Sequence, residues 1–189
     1  MSRKEFQNLS LFRLPSGFRG RSAVVVQLWW LVQKSLFAMS PQFMYEWRNF
    51  LLKLFGAKVG FGVIVRPTVR VTYPWKVSIG ERSWIGDNAE LYSLGEIVIG
   101  SDVVISQRSY LCAATHNYAT PSFDILDKKI VIEDQVWLAT DVFVAPGVTI
   151  GRGTVVGARS SVFQDMPVGM VCYGSPAKPI RPRVMSDSA

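Results

Sequence analysis

The chain has 189 residues, 49% of them hydrophobic, with a net charge of +7, two cysteines and one histidine. That length can bury one sizeable core, and one histidine with two distant cysteines cannot make a three-histidine zinc site, so no metal is expected. Residues 1–58 hold nine Lys and Arg against Glu5 and Glu46, whereas residues 59–189 hold twelve of each sign. The basicity therefore belongs to the N-terminal preface alone. No nucleic-acid partner is expected. Cys112 and Cys172 read as buried or neutral thiols of a reducing compartment, which implies a cytoplasmic location.

Residues 1–56 form the basic, aromatic preface. Its most apolar run, 23–39, is at the lower length limit for a spanning helix and is interrupted by Gln27, Gln33 and Lys34. Neither a membrane span nor a secretory signal is expected from it. The run predicts a helix, and a second helix is predicted over 42–55, after Pro41 and stopped by Gly56. Two compatible roles stay open for this pair. It can cap a sheet edge left open by the segment that follows. It can also rest its Trp, Phe, Lys and Arg side chains on an anionic membrane surface.

A different pattern begins at residue 57. Ile132, Leu138, Val144, Ile150, Val156 and Val162 stand six apart, and the same period links Ile79, Ile85 and Leu91, then Ile99, Ile105 and Leu111. Neither helix nor strand has a period of six. A chain that turns a corner every six residues does, closing a three-sided coil in about eighteen. Each aliphatic side chain then points inward and stacks on its counterpart about 4.8 Å along the axis. The following residue is small at Gly80, Gly86, Gly100, Ser106, Ala139, Ala145, Gly151 and Gly157, as tight corners require through positive φ or close backbone approach.

The fold class read from this is mainly β, a parallel β-helix over 57–167 with a helical preface and a Pro-rich tail at 168–189. The period slips by two residues between Leu91 and Ile99, and breaks entirely over 113–131. That excursion holds the only histidine, His116, in the run Thr115-His116-Asn117-Tyr118. A loop leaving an otherwise strict solenoid is a place for function. A neutral imidazole there can accept a proton near physiological pH. Cys112 offers a rival route as a nucleophile, although no base adjoins it in sequence.

These features resemble a known family. The hexad array, the histidine loop, Val136-Trp137 after it, Ala145-Pro146-Gly147-Val148-Thr149-Ile150-Gly151 and the tail Gly174-Ser175-Pro176-Ala177-Lys178 are similar to the hexapeptide-repeat acyltransferases. Gly17-Phe18-Arg19-Gly20, Phe55-Gly56-Ala57-Lys58, Tyr73-Pro74-Trp75 and Leu91-Tyr92-Ser93-Leu94-Gly95-Glu96 extend the likeness to the colanic-acid-biosynthesis O-acetyltransferases. The resemblance implies a left-handed parallel β-helix and a homotrimer with acetyl-CoA lying between subunits. It implies direct acetyl transfer to a saccharide hydroxyl, with His116 as general base and no acyl-enzyme.

For the co-substrate, the resemblance places Trp137 beside the pantetheine arm and the coil positions Thr140 and Ala158 at its amides. Lys178, with Arg159 and Arg181, suits the CoA phosphates, since phosphate favours Lys and Arg. Asp87, Asn88, Tyr92 and Ser93 are the candidates for acceptor contacts, and Glu90, Asp87 or Asn88 for orienting His116. If the acceptor is a lipid-linked exopolysaccharide precursor, the preface would make a peripheral contact with the inner face of the cytoplasmic membrane. Two other readings stay open: acetylation of a soluble small molecule or nucleotide-sugar amine, and a non-catalytic β-helix scaffold. His116, Trp137 and the Gly174-to-Lys178 tail weigh against the scaffold.

Overall fold

The computed structural model describes residues 5–186; the outermost parts of the preface and tail, 1–4 and 187–189, lie outside the described residues. Three sheets make the sides of a prism, parallel but for the last strand of the second, with five strands on the first face, seven on the second and five on the third. The chain visits them in turn, as in Ile130–Ile132, Trp137–Leu138 and Phe143–Val144. The aliphatic residues spaced by six all point inward and stack in register. Leu138 lies between Ile105 and Val156, Val144 between Leu111 and Val162, and Ile132 between Ile99 and Ile150. Every one of them is buried. The period of six is the period of the corners, as the sequence predicts.

The small residue after each aliphatic one serves close approach rather than positive φ. A Cβ on Gly80 would lie 2.5 Å from the carbonyl carbon of Gly100 in the next coil. Positive φ falls two residues later, at Arg82, Asn88, Asp102, Arg108, Gln135, Asp141 and Arg159. Polar side chains carry that strain at the exposed corner, while the glycine keeps the coils close enough for their ladders to form.

All departures from the repeat lie on one edge. Val59, Ile79, Ile99, Ile132 and Ile150 are successive partners on the first face, so the coils take 20, 20, 33 and 18 residues. The extra residues sit where the third face turns into the first. They are the turn Pro74–Lys76, the segment Ser93 to Glu96, and the excursion after Cys112. The two-residue slip after Leu91 is thus a shorter insertion at the corner that later carries the histidine loop.

The preface covers the first coil. Helix α1, Ala23–Val32, runs into a wide turn over Gln33–Phe37, and α2 spans Tyr45–Leu54. Trp29 Nε1 donates to the Val71 carbonyl (2.7 Å), and Gln33 Oε1 accepts from the Val71 N–H (2.6 Å). Arg48 Nε donates to the Val65 carbonyl (2.7 Å) and Asn49 Nδ2 to that of Val63 (2.8 Å). These four side chains satisfy backbone groups that a terminal strand would leave unpaired. Arg48 is fully buried, and burial pushes its guanidinium below the usual arginine value. Its other N–H groups reach Ser40 Oγ and the carbonyls of Pro41 and Gln42. Arg48→Met keeps much of the volume and strands those acceptors. The midpoint of denaturant unfolding should fall by the equivalent of about 2–4 kcal/mol. An unchanged midpoint would mean the cap lies outside the cooperative unit.

Candidate active site

The excursion leaves the edge between the third and first faces as an antiparallel hairpin, Ala114–His116 against Ile125–Asp127. Its base is anchored by the buried Ala113 and Ala114. At its far end, His116 Nδ1 lies 2.8 Å from the Phe123 carbonyl oxygen. A carbonyl can only accept, so this contact requires hydrogen on Nδ1 and leaves the Nε2 lone pair free. The Phe123 ring lies flat on the imidazole, with centroids 4.3 Å apart and planes 9° apart. The histidine opens into a cavity of about 380 Å³ that also involves Asn117, Tyr118, Leu126, Lys128 and Pro146. The acidic candidates for orienting His116 are engaged elsewhere. Asp87 pairs with Arg66 (2.8 Å), and Glu90 pairs with Arg70 on the third face.

A second recess follows the opposite margin of the third face, where it meets the second. One stretch of about 530 Å³ is lined by Ser106, Trp137, Ala139, Thr140, Gly157 and Ala158. The next, of about 620 Å³, is lined by Tyr45, Arg66, Trp84, Asp87, Asn88 and Arg108 among others. Both include Ser106 and Gln107, so the groove is continuous along the edge. Trp137 is 45% exposed, and its Nε1 donates to Ser106 Oγ (3.0 Å), which holds the indole as one wall. Thr140 Oγ1 donates to the Gln107 carbonyl (3.0 Å). Arg108 binds the Asp141 carboxylate through two nitrogens, at 2.7 and 2.9 Å, and holds it below the usual carboxylate range. Arg159 stands 3.7 Å from the same carboxylate and is largely exposed.

The tail closes this groove at one end. Strands Met170–Gly174 and Ala177–Pro182 form a hairpin added to the second face. The Gly174 N–H donates to Ser160 Oγ (3.1 Å), placing the turn on the groove edge. Lys178 lies opposite Tyr173 close to that turn, whereas Arg181 lies opposite Val171, further back across the face. Of the three cations considered for phosphate, Arg159 follows the groove residue Ala158 in the chain, Lys178 lies near the hairpin turn and Arg181 lies further back along the hairpin.

The acceptor candidates divide between two edges. Asp87 and Asn88 line the groove. Tyr92 stacks on Tyr110 on the third face, with centroids 6.0 Å apart, and burial raises both phenol pKa values. Ser93 is fully buried: its hydroxyl accepts from the Tyr73 N–H (2.8 Å) and donates to the Tyr73 carbonyl (3.0 Å). It stitches two coils together and offers nothing to a ligand. Trp84, Tyr45 and Lys128 enter the picture only with the structure. Trp84 had a signal, since it holds the same hexad position as Trp137 and aligns with it through Val104.

The histidine and the groove stand on different edges, with the whole third face between them. Within one chain they cannot meet. Among the described residues, no group of three His, Cys, Asp or Glu side chains could hold a metal ion.

No family model matches the chain. WcaF of Escherichia coli (strain K12), named for colanic acid biosynthesis as an acetyltransferase, is 59% identical over 181 residues, covering 96% of this chain and 100% of its own. A hexapeptide-repeat-containing acetyltransferase of Vibrio cholerae O1 biovar eltor, solved with acetyl-coenzyme A, superimposes with a TM-score of 0.78 at 26% identity, covering 88% of this chain and 92% of that one. A galactoside acetyltransferase solved with coenzyme A gives a TM-score of 0.79 at 26% identity, over 90% and 84% of the two chains. The period of six, the prism it builds and these likenesses agree: the chain belongs to the hexapeptide-repeat acetyltransferases, in the branch of the colanic acid biosynthesis acetyltransferases.

Proposed function

We propose that the protein transfers acetyl from acetyl-CoA to a sugar hydroxyl of an exopolysaccharide precursor, with His116 as general base. The observation that carries this is the bond from His116 Nδ1 to the Phe123 carbonyl, which presents Nε2 as an acceptor at a cavity mouth. A thioester is already a reactive donor. The step it needs is removal of the acceptor proton as the hydroxyl oxygen attacks the acetyl carbonyl. His116 Nε2 takes that proton, and the resulting imidazolium returns it to the departing thiolate of coenzyme A. No covalent enzyme intermediate is required.

The groove suits an extended, largely apolar pantetheine arm. Its floor is Ala139, Gly157 and Ala158, with the Trp137 indole as a wall. Lys178 and Arg159, at its end, suit the phosphates. Trp137→Ala should weaken acetyl-CoA binding about tenfold. Lys178→Ala should cost less, and its effect should shrink as salt rises. Calorimetry showing unchanged affinity in both variants would put the co-substrate elsewhere. The wider part of the groove, with Trp84 53% exposed and Asp87 and Asn88 nearby, suits a pyranose ring and its hydroxyls.

A second copy completes the site. Setting the groove edge of one chain against the histidine edge of the next, three times, turns the third face of each toward a threefold axis. That face carries a ladder of Tyr92, Tyr110, Phe143 and Phe163, with successive centroids 5.7–6.0 Å apart. The positions of the two half-sites on opposite margins of that face support a homotrimer.

The exposed apolar and basic residues of the preface support a lipid-surface location for this trimer. Val24, Leu28, Leu31, Leu36, Met39 and Phe43 are exposed on and after α1, and the preface also exposes Arg21, Lys34 and Lys53. Among the described residues, no helix is long and apolar enough to cross a membrane. Peripheral docking on the inner face of the cytoplasmic membrane would bring the site to a lipid-linked saccharide. Changing Arg21, Lys34 and Lys53 to Glu should release the protein from anionic vesicles, at about 1 kcal/mol per charge. Activity on soluble acceptors should persist. Wild-type protein that ignores such vesicles at low salt would reduce the preface to a cap.

The reaction itself is tested by offering acetyl-CoA with lipid-linked and free saccharides and locating acetate in the product by NMR. An O-acetyl sugar is expected. An N-acetyl product on an amino sugar, or no turnover with any saccharide, would contradict the proposal.

A further inference from the structure

We infer that Phe12 and Phe123 position His116, and that the N-terminal arm is thereby part of the catalytic apparatus as well as the approach to the cap. This rests on the reading of His116 as the base. The arm is fixed at two points. Near its start, the Asn8 N–H donates to the Pro121 carbonyl of the histidine loop (2.7 Å). Further on, Trp75 Nε1 donates to the Arg19 carbonyl (2.6 Å) and Lys76 Nζ to that of Phe18 (2.8 Å). Between these anchors, the single turn Leu9–Leu11, capped by Asn8, delivers Phe12 to the imidazole. The rings of Phe12 and His116 lie 6.3 Å apart at 52°, while Phe123 covers the imidazole at 4.3 Å. His116 is thus flanked by one aromatic ring from its own loop and one from the arm.

Phe123 carries a further sign of a positioning role. Its φ is +51°, a left-handed conformation that is costly for a bulky side chain. Among the described residues, every other non-glycine at positive φ sits three places after an inward aliphatic, where the coil turns its corner. Phe123 is the exception. In this conformation its carbonyl bonds His116 Nδ1 while its ring covers the imidazole face. Strain held at one residue, with both its groups on the base, is what orientation of that base requires. A carboxylate is absent from this role, and a backbone carbonyl with two rings takes its place.

Because the protein has one histidine, an untagged sample labelled with nitrogen-15 histidine reports this imidazole alone. The wild type should show the tautomer protonated at Nδ1. Phe12→Ala, and separately removal of residues 1–14, should mix in the tautomer protonated at Nε2. Each should lower kcat about ten- to a hundredfold, as small misplacements of a reacting group do. The KM for acetyl-CoA and the melting temperature should stay close to wild type, and Phe12→Leu should recover most of the rate. Wild-type tautomer and wild-type kcat in both variants would overturn the inference. So would a loss of kcat matched by unfolding, since that is a merely structural effect. The nitrogen spectrum needs no turnover, so it stands even if His116→Ala proves active and the base assignment fails.

Discussion

His116→Ala should lower acetyl transfer by about two to four orders of magnitude, the usual weight of a general base. The substitution removes the only imidazole in the protein. It should leave the rest of the molecule nearly unchanged. His116 is part-buried at the end of a hairpin whose packing rests on Ala113 and Ala114. The Trp137 wall and the small-residue floor of the groove are unchanged, so acetyl-CoA should bind the variant with close to wild-type affinity. Calorimetry and steady-state rates on the same sample separate the two effects. A near wild-type rate would make His116 a bystander and reopen a route through Cys112. Cys112 Sγ now donates to the Ala114 carbonyl (3.2 Å).

Ile150→Asp should abolish folding altogether. Ile150 is fully buried, stacked on Ile132 in the coil before and bridged to Met166 in the turn after. A carboxyl group there has neither water nor a cation. Charged or protonated, it leaves polar atoms unpaired and removes the aliphatic stack, at a cost comparable with the roughly 5–15 kcal/mol that holds a typical domain together. Arg152→Ser, two residues away on the exposed corner, should shift stability by less than about 0.5 kcal/mol. Circular dichroism and solubility distinguish the two outcomes. Equal tolerance at both positions would remove the inward register on which the prism is built.

The repeat was legible because every coil solves the same packing problem. An aliphatic residue inside each face and a small residue at each close approach leave a period that no helix or strand shares. The corner geometry was less legible. Glycine is needed where Gly80 meets Gly100, yet the positive φ falls on Arg82 and Asp102, where the sequence gives no hint of it. The two helices appear close to their expected ranges, as Ala23–Val32 and Tyr45–Leu54, although the wide turn at Gln33–Phe37 carries no periodic signal.

For the site, His116 and Trp137 stood out because one breaks the repeat and the other is a bulky exception within it. Ser93 misled for a physical reason. A serine in an insertion reads as exposed, whereas this one is buried to satisfy both backbone groups of Tyr73. The partner of His116 was invisible because it is a backbone carbonyl, which any residue could supply. The separation of histidine and groove onto two edges depends on which corner each insertion occupies, and a sequence does not draw corners.

Mixed assembly tests the central claim, a site shared between copies, most directly. Ala158→Trp fills the groove, and His116→Ala removes the base. Each variant alone should be almost inactive. Co-assembled, any trimer holding both should contain one interface where an intact histidine edge meets an intact groove, restoring about one site in three. Acetyl transfer recovered on mixing, and only after the variants exchange subunits, is the predicted result. A mixture no more active than its two parts would mean that each chain works alone, and would contradict the account.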